Sequence, residues 1–163
     1  MARTINGAVN YVTACDPADR WDSAWVFKAS DGEYTEVIHT NVGNMGMTQP
    51  LADVDFYPNG GRNMPGCVTA LCDHYRSYYY LGESIRTGGF TGTRCEDLNA
   101  ALTGNCNSLG TLRLGGLQPK IGNTGIFYVR TNANWPFSQE RNFLGSFIPR
   151  KFIDIAGDME LRA

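Results

Sequence analysis

A chain of 163 residues, 42% apolar and 12% aromatic, has enough material for one domain with a real core, which excludes wholesale disorder. Its formal charge of -2 comes from 14 basic and 16 acidic side chains scattered without a basic stripe, which excludes a nucleic-acid surface. No apolar run approaches the roughly 18 residues of a membrane helix, and MARTINGAVNYV has no apolar h-region, so neither a transmembrane segment nor a signal peptide is expected in these residues.

In chain order, VNYVTA at 9–14 is β-branched and aromatic and stops at Cys15-Asp16-Pro17, which predicts a strand ending in a turn with Asp16 at its carboxyl end. TEVIHT at 35–40 and VDFY at 54–57 predict a second and a third strand, the latter closed by PNGG. Residues 71–85 carry helical periodicity, with Leu71, Tyr75, Tyr78, Tyr79, Gly82 and Ile85 on or near one face. The run Tyr78-Tyr79-Tyr80 covers too much of the circumference to be one stripe, so at least one ring is expected to be partly exposed. Arg76, Glu83 and Arg86 read as surface charge pairs on that helix. IFYVRT at 126–131 predicts a fourth strand, and alternating apolar residues over 147–155 predict a last one interrupted by Pro149. Strands with an intervening helix give the α/β class; one unit is expected over 1–163, with the final residues fraying.

The five cysteines are Cys15, Cys67, Cys72, Cys95 and Cys106; without a C-x-x-C pair, and with His74 as the only nearby imidazole, they predict no structural zinc. Cys67 with Cys72, and Cys95 with Cys106, would close small loops in an oxidising compartment and leave Cys15 unpaired in an apolar run. Five reduced, buried thiols are the alternative.

Asp16 at a strand end and His74 just ahead of or within a helix are the two polar residues whose placement suits catalysis, because functional groups in open α/β sheets collect at the carboxyl ends of strands. A buried carboxylate on one ring nitrogen fixes the tautomer and frees the other nitrogen as a general base. Asp before His is also the second half of the Ser, Asp, His chain order of α/β-hydrolases. Read alone, Asp16-Pro17 is more often just a turn, and a histidine placed like His74 is usually a polar surface residue. The nucleophile is missing: none of the seven serines sits in G-x-S-x-G, and KASDG at Ser30, GESIR at Ser84 and CNSLG at Ser108 each keep one glycine. Cys15 would point away from its strand neighbour Asp16, so it reads as a buried structural thiol. His39, mid-strand in EVIHTN, reads as a hydrogen-bonded core or edge histidine.

The ordered series TEVIHTN, VDFYPNGGRNMPGC, CDHYRSYYYLGESI, GFTGTRC with GNC, and GIFYVRTN resembles the pancreatic lipase family, most closely its insect neutral-lipase and phospholipase A1-like members, over about residues 9–137. The tail 138–163 lies outside the resemblance. What the resemblance implies is a partial α/β-hydrolase fold lacking the early strands and the nucleophile elbow. ACDPA maps the triad aspartate to Asp16, although Ala14 and Cys15 replace the family's usual glycine and leucine, and CDHYRSY maps the triad histidine to His74. Cys67 and Cys72 match the two cysteines that close the family's lid, and Cys95 with Cys106 a further family disulfide. Asp31 matches one acidic ligand of the family's calcium loop, but Lys28 stands where another carboxylate is expected, so no complete calcium site and no other cofactor is implied. The implied protein is an extracellular lipase acting on glycerolipids, inactive as this segment alone because the family's serine precedes it. A non-catalytic lipid-binding or yolk-type homologue is the alternative. Only four residues separate Cys67 from Cys72, and the stretch 41–53 is short as well, a combination that in the family accompanies phospholipase A1-type selectivity.

Overall fold

The computed structural model describes residues 9–18, 26–107 and 109–140. Its centre is a six-stranded sheet of β1 (Tyr11–Cys15), β2 (Tyr34–Ile38), β3 (Val54–Pro58), β4 (Phe90–Arg94), β5 (Thr111–Leu114) and β6 (Gly125–Val129), with α1 (Ala70–Thr87) and α2 (Leu98–Thr103) between strands. The spatial order is β1-β2-β3-β6-β4-β5. The first four strands in that order are parallel, with Thr13 opposite Glu36, Ile38 opposite Phe56, and Phe56 opposite Phe127. β4 runs antiparallel to both β6 and β5. This is a mixed α/β architecture consistent with part of an α/β-hydrolase domain.

Strand alternation divides the interior between the two faces of the sheet. Ile38, Val54, Phe56, Phe127 and Val129 point to one face and form a cluster with Met64, Tyr80, Phe90, Leu114 and Phe137, beneath α1. Tyr57, Ile126 and Tyr128 point to the other and pack with Val42, Cys95, Leu98, Ala101 and Leu102, beneath α2. The four strands expected at 9–14, 35–40, 54–57 and 126–131 are present with shifted ends, whereas the one expected at 147–155 lies outside the described residues.

β4 and β5 had no clear sequence signal. β4 is FTGTR, whose glycine and threonines hide the periodicity. Gly92 is a packing requirement: a Cβ there would lie 3.0 Å from Phe56 Cε1 and 3.2 Å from Phe127 Cβ. Thr111 to Leu114 is a short outer strand with one buried side chain, too little for alternation to show.

α1 begins at Thr69, whose Oγ1 accepts from the Cys72 N–H, and ends at Gly88 in the left-handed region, so both ends agree with the helix expected over 71–85. Its orientation does not. Leu71, Tyr75, Tyr78 and Ile85 are 42–48% exposed, while Asp73, Arg76, Ser77, Tyr80, Glu83 and Ser84 form the buried face. The inward polar tips bind loop backbones. Asp73 Oδ1 accepts from Met64 N–H at 2.6 Å. Arg76 donates to Ala133 O at 3.0 Å and to Cys67 Sγ at 3.3 Å, with its guanidinium 4.6 Å from the Phe137 ring centroid. Glu83 accepts from the N–H groups of Phe137 and Ser138 at 2.7 and 2.9 Å. The reading of Arg76 and Glu83 as surface charges is therefore corrected: loops without a partner strand need acceptors and donors for their buried amides, and the helix supplies them. Tyr78 is the exposed ring of the tyrosine run and Tyr80 the buried one.

Replacing Glu83 with Ala strands two buried N–H groups and is expected to destabilise the chain by about 2–4 kcal/mol. The denaturant midpoint checks this; a midpoint equal to wild type would contradict it.

Candidate active site

β1 and β2 are parallel neighbours, so their carboxyl ends emerge side by side at one edge of the sheet. Asp16 follows β1 directly with φ of 45°, a left-handed turn that Asp tolerates better than most residues, and its N–H donates to Ile38 O at the end of β2. The turn folds the carboxylate inward, where it has no solvent exposure. Oδ1 accepts from the N–H groups of Thr40 and Asn41 at 2.8 and 3.0 Å, the second and third residues beyond β2. Oδ2 accepts from His74 Nδ1 at 2.6 Å. Both oxygens of the buried carboxylate are thereby hydrogen-bonded, to two backbone amides and one imidazole, as a buried polar group requires.

His74 is the fifth residue of α1, and the helix is tied to the sheet at this point because its carbonyl accepts from Thr40 Oγ1 at 3.3 Å and from Ser77 Oγ at 2.7 Å. The side chain is 24% exposed. With Nδ1 committed to Asp16, the ring presents Nε2 as a free acceptor; among the described residues no side chain hydrogen-bonds it. The pair can accept a proton at Nε2 and stabilise the resulting imidazolium through Asp16. The two residues singled out in the sequence, 58 positions apart, are brought together.

The loop ahead of α1 is closed by the Cys67–Cys72 disulfide, and Cys95–Cys106 joins the end of β4 to the segment after α2. These two disulfides overturn the five-thiol alternative, and Cys15 is the free cysteine. Val68, in the middle of the first loop, is 96% exposed. Between this loop and the turn after β2 lies a cavity of about 420 Å³, lined in part by Asn41, Asn44, Arg62, Asn63, Thr69 and Asp73. Its walls thus include the chain neighbours of Thr40 and His74.

Asp31 Oδ2 accepts from Lys28 N–H at 3.1 Å, turning the carboxylate into its own short turn. Among the described residues no three His, Cys, Asp or Glu side chains converge on a point. Ser108 lies outside the described residues. Thr40 and Asn41 were not legible as site residues, because backbone N–H donors carry no side-chain signature. The usable signal was the parallel pairing of the strands ending at Cys15 and Ile38.

Cys15 sits beside the pair but is not equipped as a nucleophile. Burial first, then the neighbouring charges of Asp16 and Glu36, push its thiol up to about 11. Near pH 8 only about one molecule in a thousand then carries the thiolate. Iodoacetamide is expected to label Cys15 in the unfolded chain and to leave it largely unmodified in the native one; rapid native labelling would contradict the assignment.

A family model described as Lipase matches residues 1–137. Among curated proteins the chain is 34% identical over 116 residues to pancreatic lipase-related protein 2 of Cavia porcellus, covering 64% of this chain and 27% of that protein. It is 30% identical over 177 residues to pancreatic triacylglycerol lipase of Equus caballus, covering 85% of this chain and 38% of the relative. Over 121 residues it is 28% identical to lipase member H-B of Xenopus laevis, covering 66% of this chain and 26% of the relative. The chain spans about a quarter to two fifths of the length of these relatives.

Proposed function

Because this chain belongs to the lipase family, we propose that Asp16 and His74 are the acid and base of a serine carboxylic-ester hydrolase acting on glycerolipids. The observation that carries the reading is the 2.6 Å contact between His74 Nδ1 and a fully buried Asp16, which leaves Nε2 open. Nε2 takes the proton of a serine hydroxyl as its oxygen attacks the ester carbonyl, and returns it to the leaving alcohol. Water repeats the sequence on the acyl-enzyme. Asp16 holds the ring in its tautomer and stabilises the imidazolium in both halves. Since no described hydroxyl or thiol bonds Nε2, the nucleophile must be brought there by residues other than those described. The intact dyad sets this reading above a non-catalytic lipid-binding homologue, which needs neither residue.

Within that class we favour glycerophospholipids. A disulfide loop with four residues between its cysteines is too short to fold over the site, and the neighbouring cavity is lined by Arg62, Asn44 and Asn63, groups suited to a polar head group rather than to a third acyl chain. Two disulfides support an oxidising, extracellular setting. No described helix is long and apolar enough to cross a membrane.

The test joins this segment to the serine-bearing half of a family member. The joined protein is expected to hydrolyse a short-chain nitrophenyl ester, with His74→Ala and Asp16→Asn each lowering kcat/KM by about 10⁴-fold. It is expected to cleave phosphatidylcholine in preference to long-chain triacylglycerol, and the segment alone to show no His74-dependent turnover. Activity indifferent to both substitutions would sink the hydrolase reading; triacylglycerol cleavage without phospholipid cleavage would sink only the substrate preference.

A further inference from the structure

The chain has two histidines, and each is paired with an aspartate. The second pair, His39 with Asp55, is deeper than the first: His39 is 0% and Asp55 1% exposed. Nε2 of His39 lies 2.9 Å from Asp55 Oδ1, and Nδ1 lies 3.0 Å from the carbonyl oxygen of Met47. A carbonyl oxygen only accepts, so Nδ1 must carry a proton and donate. The ring is stacked on Tyr57, centroids 4.3 Å apart and planes 7° from parallel. With no open nitrogen and no exposure, this imidazole is unavailable as a base.

Its contacts are instead directed at one loop, 41–53, and that loop leans on Asp16. Tyr57 Oη donates to Thr48 O at 2.9 Å, and Asp55 accepts from the N–H groups of Leu51 and Ala52 at 2.9 and 3.1 Å. The Met47 peptide is gripped from both sides: His39 holds its carbonyl, and its N–H donates at 2.9 Å to the carbonyl of Pro17, the residue after Asp16. Next to it, Gly46 bridges to Ala18 and Val42 and is pressed so closely on the Asp16 carboxylate that a Cβ there would overlap both carboxylate oxygens. The floor of the loop is thus bolted to β3, and its roof closes the space into which Asp16 could otherwise turn.

We propose that His39 and Asp55 are a positioning pair for the Asp16–His74 dyad: by fixing the Met47 carbonyl they hold Gly46 against Asp16 and so set the angle at which Oδ2 meets His74. Neither residue touches a reacting atom. The inference rests on the dyad's geometry and not on the ester-hydrolase reading, so it survives or fails separately from it.

The readout is the Nδ1 proton of His74, whose short bond to a buried carboxylate gives a far-downfield proton resonance identified by its loss in Asp16→Asn. In the 163-residue chain, His39→Phe removes both ring-nitrogen contacts while keeping a ring on Tyr57; the His74 resonance is expected to move upfield or vanish in a chain that remains folded by circular dichroism. His39→Asn places an amide nitrogen where Nδ1 stands, keeps a donor for Met47 O, and is expected to restore the resonance towards wild type. A merely structural histidine would lower stability in both variants and leave the His74 resonance where it was. An unchanged resonance in folded His39→Phe overturns the proposal. Should that variant not fold, His39→Gln takes its place, since its amide reaches Asp55 but leaves Met47 O without a donor, and the same outcomes apply. Failure of both to fold also overturns it, because the pair would then serve the fold and not the site.

Discussion

The constraint on which the site depends is the burial of one carboxylate. Asp16 lies out of contact with solvent at the edge of a parallel sheet, and an ionised group there is tolerable only if every oxygen is bonded. The sheet meets that demand with its own backbone: parallel pairing of β1 and β2 brings the amides of Thr40 and Asn41 beyond the end of β2 to Oδ1. The remaining oxygen is left for a ring nitrogen. Thr40 then reaches across to the helix carrying that ring, so the same residue satisfies the carboxylate and locates the imidazole. Strand register, helix docking and the dyad are consequences of one another.

The helix shows how far the demand for satisfied polar groups can override an apolar stripe. α1 turns Leu71, Tyr75, Tyr78 and Ile85 outward and Asp73, Arg76 and Glu83 inward, because the elements it covers include loops 64–67 and 131–138 whose amides and carbonyls need partners. Each buried charge on α1 ends on a backbone atom of these loops, and Arg76 also contacts the sulfur of the closing disulfide. The loop that borders the Asp16–His74 pair is thereby anchored from the same helix that carries His74.

Much of the arrangement was legible. Strands rich in Val, Ile, Phe and Tyr announced themselves, Asp16 and His74 were marked by their positions at a strand end and a helix start, and the resemblance to lipases paired the cysteines as the structure does. What was hidden has physical causes. β4 is masked by Gly92, which is there because Phe56 and Phe127 leave no room for a side chain. The inward face of α1 was misread because periodicity identifies a stripe but not the polarity of what it faces. Thr40 and Asn41 act through N–H groups that every residue has, and the hold of His39 on Met47 depends on a loop conformation no local pattern encodes.

The central claim is that Asp16 fixes His74 as a base with an open Nε2. The most direct measurement is a long-range proton–nitrogen correlation of the two imidazole rings in nitrogen-15-labelled protein, which reads the tautomer of each. The account predicts that the neutral His74 ring carries its proton on Nδ1, with Nε2 unprotonated, and that Asp16→Asn abolishes this preference. A neutral His74 ring protonated on Nε2, or a tautomer indifferent to the substitution, would contradict it.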